Sequence, residues 1–163
     1  MSIYKKCINL AKQSPCQKRG FGCVGWIPFE GFVAETYNKP LDTTKHICEP
    51  ECIRMSIRSG SDSMIGACIH AEEQAIWKAI HNGHNLADLE LYVAGVTKPE
   101  NEPLIKSDPH FYCIRCATLM LLSKVKGVYV YVNDKWEFLA AEEAYETSKQ
   151  FALKQILLDR DKA

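Results

Sequence analysis

The sequence predicts an α/β protein, a three-layer α/β/α sandwich around a mixed sheet. Helical and strand patterns alternate after an opening hairpin, as they do when helices cover both faces of a sheet. The chain has 163 residues and 47% hydrophobic content, enough for one domain with one sizeable core. No internal repeat or low-complexity tract interrupts the alternation.

Residues 3–13 read as a short first helix, ended by the turn signals Ser14-Pro15 and Arg19-Gly20. Two apolar runs, 22–27 and 32–37, flank Pro28-Phe29-Glu30-Gly31 and read as a hairpin. From 38 to 67 the periodicity fades into Pro, Ser, Asp and Cys. That segment is too long for an ordinary connection, so it is expected to be functional or ordered by metal. Helical spacing returns at Ile69, Ile76, Ala79 and Ile80, with Gly83 as the stop, and 89–96 reads as a strand. After a polar stretch, 97–109, come an apolar helix over about 114–123, a strand over 127–132 and an amphipathic helix over 140–158.

Lys plus Arg and Asp plus Glu each number 20, so the formal net charge is zero. That balance argues against a DNA or RNA partner, while leaving room for a local basic groove. No stretch approaches the roughly 20 apolar residues of a membrane span, and Met1-Ser2-Ile3-Tyr4-Lys5-Lys6 lacks the apolar run of a signal peptide. A soluble cytoplasmic protein with no membrane partner is expected. Its eight cysteines should then be reduced, as metal ligands or core residues.

The segment Cys68-Ile69-His70-Ala71-Glu72-Glu73 carries His-x-Glu at the start of a helix, and Cys113-Ile114-Arg115-Cys116 opens the next helix. Each half alone is weak, because a lone histidine is more often structural and Cys-x-x-Cys also serves structural zinc sites and redox pairs. Together they make a signature in which one His and two Cys coordinate zinc while a non-ligand Glu works as acid and base. Three protein ligands leave the fourth tetrahedral position to water, whose pKa the metal lowers toward about 7. Both cysteines fall in the first turn of a helix, where unpaired amides and the dipole favour thiolates. Glu72 can reach that water and a ring nitrogen without binding the metal. Glu73 should point elsewhere and reads as an exposed charge.

With these motifs the chain resembles the cytidine and deoxycytidylate deaminase superfamily over about residues 5 to 132. Ser14-Pro15-Cys16-Gln17-Lys18-Arg19 leading into Gly22-Cys23-Val24-Gly25 is similar to the family's entry to its first strand. Tyr37-Asn38 is similar to the end of its second strand, where an Asn contacts substrate. Cys48-Glu49-Pro50-Glu51-Cys52-Ile53-Arg54, then Arg58-Ser59-Gly60 and Cys68, resembles the deoxycytidylate branch in particular. The resemblance implies a five-stranded mixed sheet, a zinc-dependent hydrolytic deaminase and a homo-oligomer. It implies substrate contacts at Asn38 and at Ala71, between the His and the Glu.

Tyr112 stands where the family usually has proline, and the polar insertion before Cys113 is longer than in compact members. Phe111 or Tyr112 is thereby a candidate for stacking on the base, with ordinary loop packing as the alternative. For a phosphate, Lys18, Arg19, Arg54, Arg58 and Arg115 are the basic residues nearest the motifs, and at most two of them are expected to touch it. Cys48 and Cys52 are close enough in sequence to share a metal. Cys16 resembles a cysteine that joins a second, structural zinc in some deoxycytidylate deaminases, and His46 or another histidine could complete four ligands. The alternative is that these are buried free thiols. Cys7, Cys23 and Cys68 are assigned to core packing.

The reading is one deaminase domain over residues 1–163, with its core over about 5–132. Its expected reaction converts the small-molecule nucleotide deoxycytidylate to deoxyuridylate and ammonia. One alternative is a nucleic-acid deaminase acting on cytosine or adenine in tRNA or single-stranded DNA, which the zero net charge opposes. The other is a catalytically silent zinc-binding subunit, which would have no chemical need for Glu72.

Overall fold

The computed structural model describes residues 1–41, 48–56, 68–106, 110–111 and 113–160. Helix α1 (Ile3–Gln13) starts where the Ser2 hydroxyl accepts the Lys5 N–H at 3.3 Å. Its buried face, Cys7, Ile8, Leu10 and Ala11, lies on strand β1 (Arg19–Ile27) and on the sheet around it. The approach is close enough that a Cβ at Gly22 would sit 2.1 Å from the Cys7 carbonyl oxygen, so glycine is what lets the helix seat.

Strand β2 (Gly31–Tyr37) pairs antiparallel with β1 in the expected hairpin, with a register shift between Gly25 and Trp26. Next, β3 (Lys39–Pro40) and β4 (Cys68–Ile69) form a separate two-stranded ribbon. The helix expected from residue 69 therefore begins later, as α2 (Ala71–His81), because Ile69 is taken by the ribbon. Its end follows the sequence signal. Gly83 takes φ +76°, its N–H donates to the Ile80 carbonyl at 3.0 Å, and the His84 N–H reaches back to Ala79 at 3.0 Å.

A 3-10 turn (Leu86–Asp88), strand β5 (Glu90–Thr97), helix α3 (Ile114–Leu122), strands β6 (Gly127–Val132) and β7 (Lys135–Ala140), and helix α4 (Ala141–Arg160) complete the described elements. The main sheet runs in the order β2-β1-β5-β6-β7. Only β5 and β6 are parallel within it, and α3 supplies the crossover such a pair requires. Helix α1 covers one face, over Val24, Ala94 and Val96, while α2, α3 and α4 share the other with Cys23, Leu91, Val93, Val128 and Val130. Neighbours such as Cys23 and Val24 go to opposite faces because side chains alternate along a strand.

The mixed five-stranded sheet between two helical layers is the predicted architecture. Within the main sheet, strand β7 is the one that periodicity does not reveal. It follows a turn in which Asn133 and Asp134 both take positive φ, 46° and 63°, the backbone that matches a tight hairpin to strand twist. Among the described residues no helix is long and apolar enough to cross a membrane.

Candidate active site

Helices α2 and α3 begin side by side. His70 is the N-cap of α2, Cys113 the N-cap of α3, and Cys116 lies in the first turn of α3. His70 Nδ1 is 3.2 Å from Cys116 Sγ and 3.2 Å from Cys113 Sγ. Among the described residues this is the group of three whose ligand atoms all lie within 4.8 Å of one another.

A tetrahedral zinc with Zn–S about 2.3 Å and Zn–N about 2.0–2.1 Å has nitrogen–sulfur edges of roughly 3.6 Å. The observed spacing is within about 0.4 Å of that, so the group could hold zinc with small side-chain movements. The donor set, one imidazole and two thiols, suits that ion.

The electrostatics favour a thiolate. The Cys116 side chain hydrogen-bonds to Cys113, and with His70 alongside it holds the Cys113 thiol down to about 4. Burial pushes the Cys116 thiol up. Burial also lowers His70, but the hydrogen bond and charge of Cys113 outweigh it, and the imidazole pKa is raised.

Glu72 lies one turn-start beyond His70, 6% exposed, and feels the charges of both His70 and Cys113. Burial raises its carboxyl above the usual carboxylate value. A buried carboxyl beside a metal-ligand group can accept a proton and return it. The Thr36 hydroxyl donates to the Ala71 carbonyl at 2.7 Å and ties this start of α2 to strand β2.

A family model of the cytidine and deoxycytidylate deaminase zinc-binding region matches residues 1–132. The chain belongs to that family. A cytidine deaminase from Burkholderia pseudomallei, 14% identical, superposes over 88% of this chain and 96% of its own with a TM-score of 0.55. A dCMP deaminase from the cyanophage S-TIM5, 16% identical, covers 93% of this chain and 95% of its own with a TM-score of 0.46. No curated protein matches the chain.

In this deaminase-family chain the charge beside Glu72 is not the exposed one expected. Glu73 Oε2 accepts the His70 backbone N–H at 2.8 Å and pairs with Arg115 Nη2 at 2.7 Å. One carboxylate thus joins the two metal motifs across α2 and α3. The sequence held the signal, since a glutamate three residues after an N-cap residue is the spacing of a capping box. An arginine inside the facing Cys-x-x-Cys supplied the opposite charge.

Arg115 also donates through Nη2 to the Cys68 carbonyl at 3.1 Å, while its buried Nε has no hydrogen-bond partner among the described residues. Its guanidinium is used largely to brace the site. Asn38 is 7% exposed and its amide is occupied by the backbone: Oδ1 accepts the Phe21 N–H at 2.6 Å, and Nδ2 donates to the Arg19 carbonyl at 3.1 Å. Here it ties β1 to the end of β2. Phe111, 3% exposed, packs in the main core, and its carbonyl accepts the Ser148 hydroxyl. Ala71 is fully buried at the head of α2. Tyr112, Arg58 and His46 lie outside the described residues. Cys7 and Cys23 lie in the two core clusters. Cys68 departs from the core-packing expectation: it is half-buried on β4, against the thiols of Cys16 and Cys48.

Proposed function

We propose that this chain hydrolyses the exocyclic amine of a free cytosine nucleotide, converting deoxycytidylate to deoxyuridylate with release of ammonia. The observation that carries the reading is the buried carboxyl of Glu72 set beside three converging ligands, His70, Cys113 and Cys116. Those three residues would hold zinc, which when bound supplies the Lewis acidity that makes water a nucleophile at neutral pH.

Glu72 takes a proton from the attacking water and delivers it to the ring nitrogen. A C–O bond forms at C4 of the base. Glu72 then takes the remaining proton from the new C4 hydroxyl and passes it to the amine, the C4–N bond breaks as the C4 carbonyl forms, and ammonia leaves. Its raised pKa suits a group that must hold a proton between those two transfers. Glu73 and Arg115 position the two helix starts, and neither needs to touch the base.

Two features support a free nucleotide over a polynucleotide. The net charge is zero, which gives no extended field for a phosphate backbone. The segment from Cys48 to Arg54 has the deoxycytidylate-branch pattern. Ammonia release should be assayed on deoxycytidylate, cytidine, adenosine and a single-stranded oligonucleotide. The expected result is the highest specificity constant on deoxycytidylate, and a higher value on the oligonucleotide would overturn the substrate assignment.

A further inference from the structure

We propose that the groove between strand β2 and helix α2 is a docking site for an extended, acidic segment of another protein, which adds to the sheet as an outer strand. The surface lies apart from the catalytic group and stands whatever base that group accepts.

Strand β2 is one edge of the main sheet, with β1 on its inner side. The Asn38 N–H, one residue past its end, donates to the Phe21 carbonyl at 3.1 Å. Alternation along the strand therefore turns the backbone groups of Thr36 toward β1 and those of Glu35 and Tyr37 away from the sheet. The Gln74 side chain of α2 takes the Tyr37 carbonyl at 2.6 Å. The Tyr37 N–H and both backbone groups of Glu35 have no backbone partner among the described residues. Unpaired edge groups of this kind are a template for another strand. The chain itself uses this edge one step further on, where Lys39 and Pro40 of β3 pair antiparallel with β4. After Ile69 the chain leaves that lane for α2, and the lane beside Glu35 stays open.

The open lane has walls. Gln74, Trp77 and Lys78, at i, i+3 and i+4, stand on one flank of α2 and face the strand across a groove of about 490 Å³. That is within the size range of ligand pockets. Trp77 is 57% exposed, a large apolar surface beside free backbone groups. The ammonium groups of Lys39 and Lys78 have no acidic or hydrogen-bonding partner among the described residues. The carboxylate of the groove, Glu35, is already paired with Lys6 at 2.5 Å. The lining thus offers an edge that bonds to backbone, an aromatic wall for an apolar side chain and two uncompensated cations for acidic ones. Those are the elements of strand addition, in which main-chain bonds give affinity and side-chain contacts give specificity.

A second copy of the chain suits the groove less well. A twofold contact sets the same patch against itself, so the unpaired lysines would face their own counterparts, and like charges across an interface oppose binding. The catalytic group is not part of the surface. Asn38 and His70 flank the ribbon pair Lys39 and Ile69, and alternation sends their side chains to the opposite side from those two, which line the groove.

A displayed library of random peptides of about eight residues, the length of an ordinary strand, tests the assignment when selected against the full chain purified without chelator. Selected peptides should carry Asp or Glu alternating with apolar residues. One of them, made synthetically, should slow amide exchange at Glu35 and Tyr37 by at least about tenfold. Reversing both lysines, Lys39→Glu with Lys78→Glu, should weaken its binding by at least about tenfold. Should that double variant fail to fold, Trp77→Ala should cost the same peptide a similar factor. Enrichment of basic peptides, or of none, would overturn the proposal. So would a selected peptide that leaves the Glu35 and Tyr37 amides unprotected, or that binds the variants as tightly as wild type. A dimer of the free chain in sedimentation, with those two amides already protected, would assign the face to a second copy and overturn it as well.

Discussion

The two sulfur-rich regions of this molecule are neighbours built on opposite plans. His70, Cys113 and Cys116 stand at the starts of two helices, with His70 Nδ1 3.2 Å from each sulfur and both helices packed on the main sheet. Cys16, Cys48, Cys52 and Cys68 stand on loops and on a two-residue strand, and each of Cys16, Cys48 and Cys68 feels the others electrostatically. A centre that reacts needs an open coordination position and rigid supports that keep its geometry. Loops and a two-residue strand give the second group no such supports. The two meet at β4, where Cys68 belongs to one region and His70 follows two residues later in the other. Arg115 spans that junction, bonded to the Cys68 carbonyl and to Glu73, which caps His70.

The sharpest way to separate the regions is to remove one sulfur from each. Cys116→Ala should remove the zinc of the first site and reduce turnover to background, with zinc content and ammonia release measured on one preparation. Cys48→Ser should leave the zinc content unchanged. It should lower Tm by about 2–4 °C, which for a chain of this size is roughly 1 kcal/mol, and leave kcat within about threefold. Equal losses of activity in both variants would erase the distinction.

A subtler cut falls on the joint between them. Glu73→Gln keeps the size of the side chain but removes the charge that Arg115 faces, in a pair whose side chains are 13% and 35% exposed. Allowing for that exposure, the loss should be about 1.4 kcal/mol, seen as a roughly tenfold fall in kcat with zinc retained. A KM effect alone would mean that Glu73 acts on substrate binding instead. The smallest effect should come from Cys7→Ala, a fully buried thiol under α1 and remote from both groups. It should cost on the order of 1 kcal/mol in thermal unfolding and leave the zinc count unchanged.

The same contrast governs what could be read in advance. The reactive region was legible because its chemistry demands particular residues at fixed spacing, so His70, Glu72, Cys113 and Cys116 stood out before any fold was known. Four strands of the main sheet and all four helices followed from periodicity, but the β3–β4 ribbon did not, nor did β7, whose positive-φ turn at Asn133-Asp134 is not a strong sequence signal and which runs directly into α4. Residues that work by contact across the fold were harder to place. Glu73 looked like a solvated charge because its partner Arg115 is 42 residues away. Cys68 looked like core because its partners Cys16 and Cys48 lie on other segments. Asn38 was legible only as a family resemblance; its bonds to the Phe21 N–H and the Arg19 carbonyl, across 17 and 19 residues, carry no sequence signal.

The central claim is that Glu72 carries protons for a hydrolysis performed beside the His70, Cys113 and Cys116 group. The most direct test compares ammonia release from deoxycytidylate by wild-type protein and by Glu72→Ala at matched zinc content. General acid–base groups contribute about 10²–10⁴-fold. The account predicts a loss of at least that order with the zinc still bound. Turnover by Glu72→Ala at the wild-type rate would contradict it.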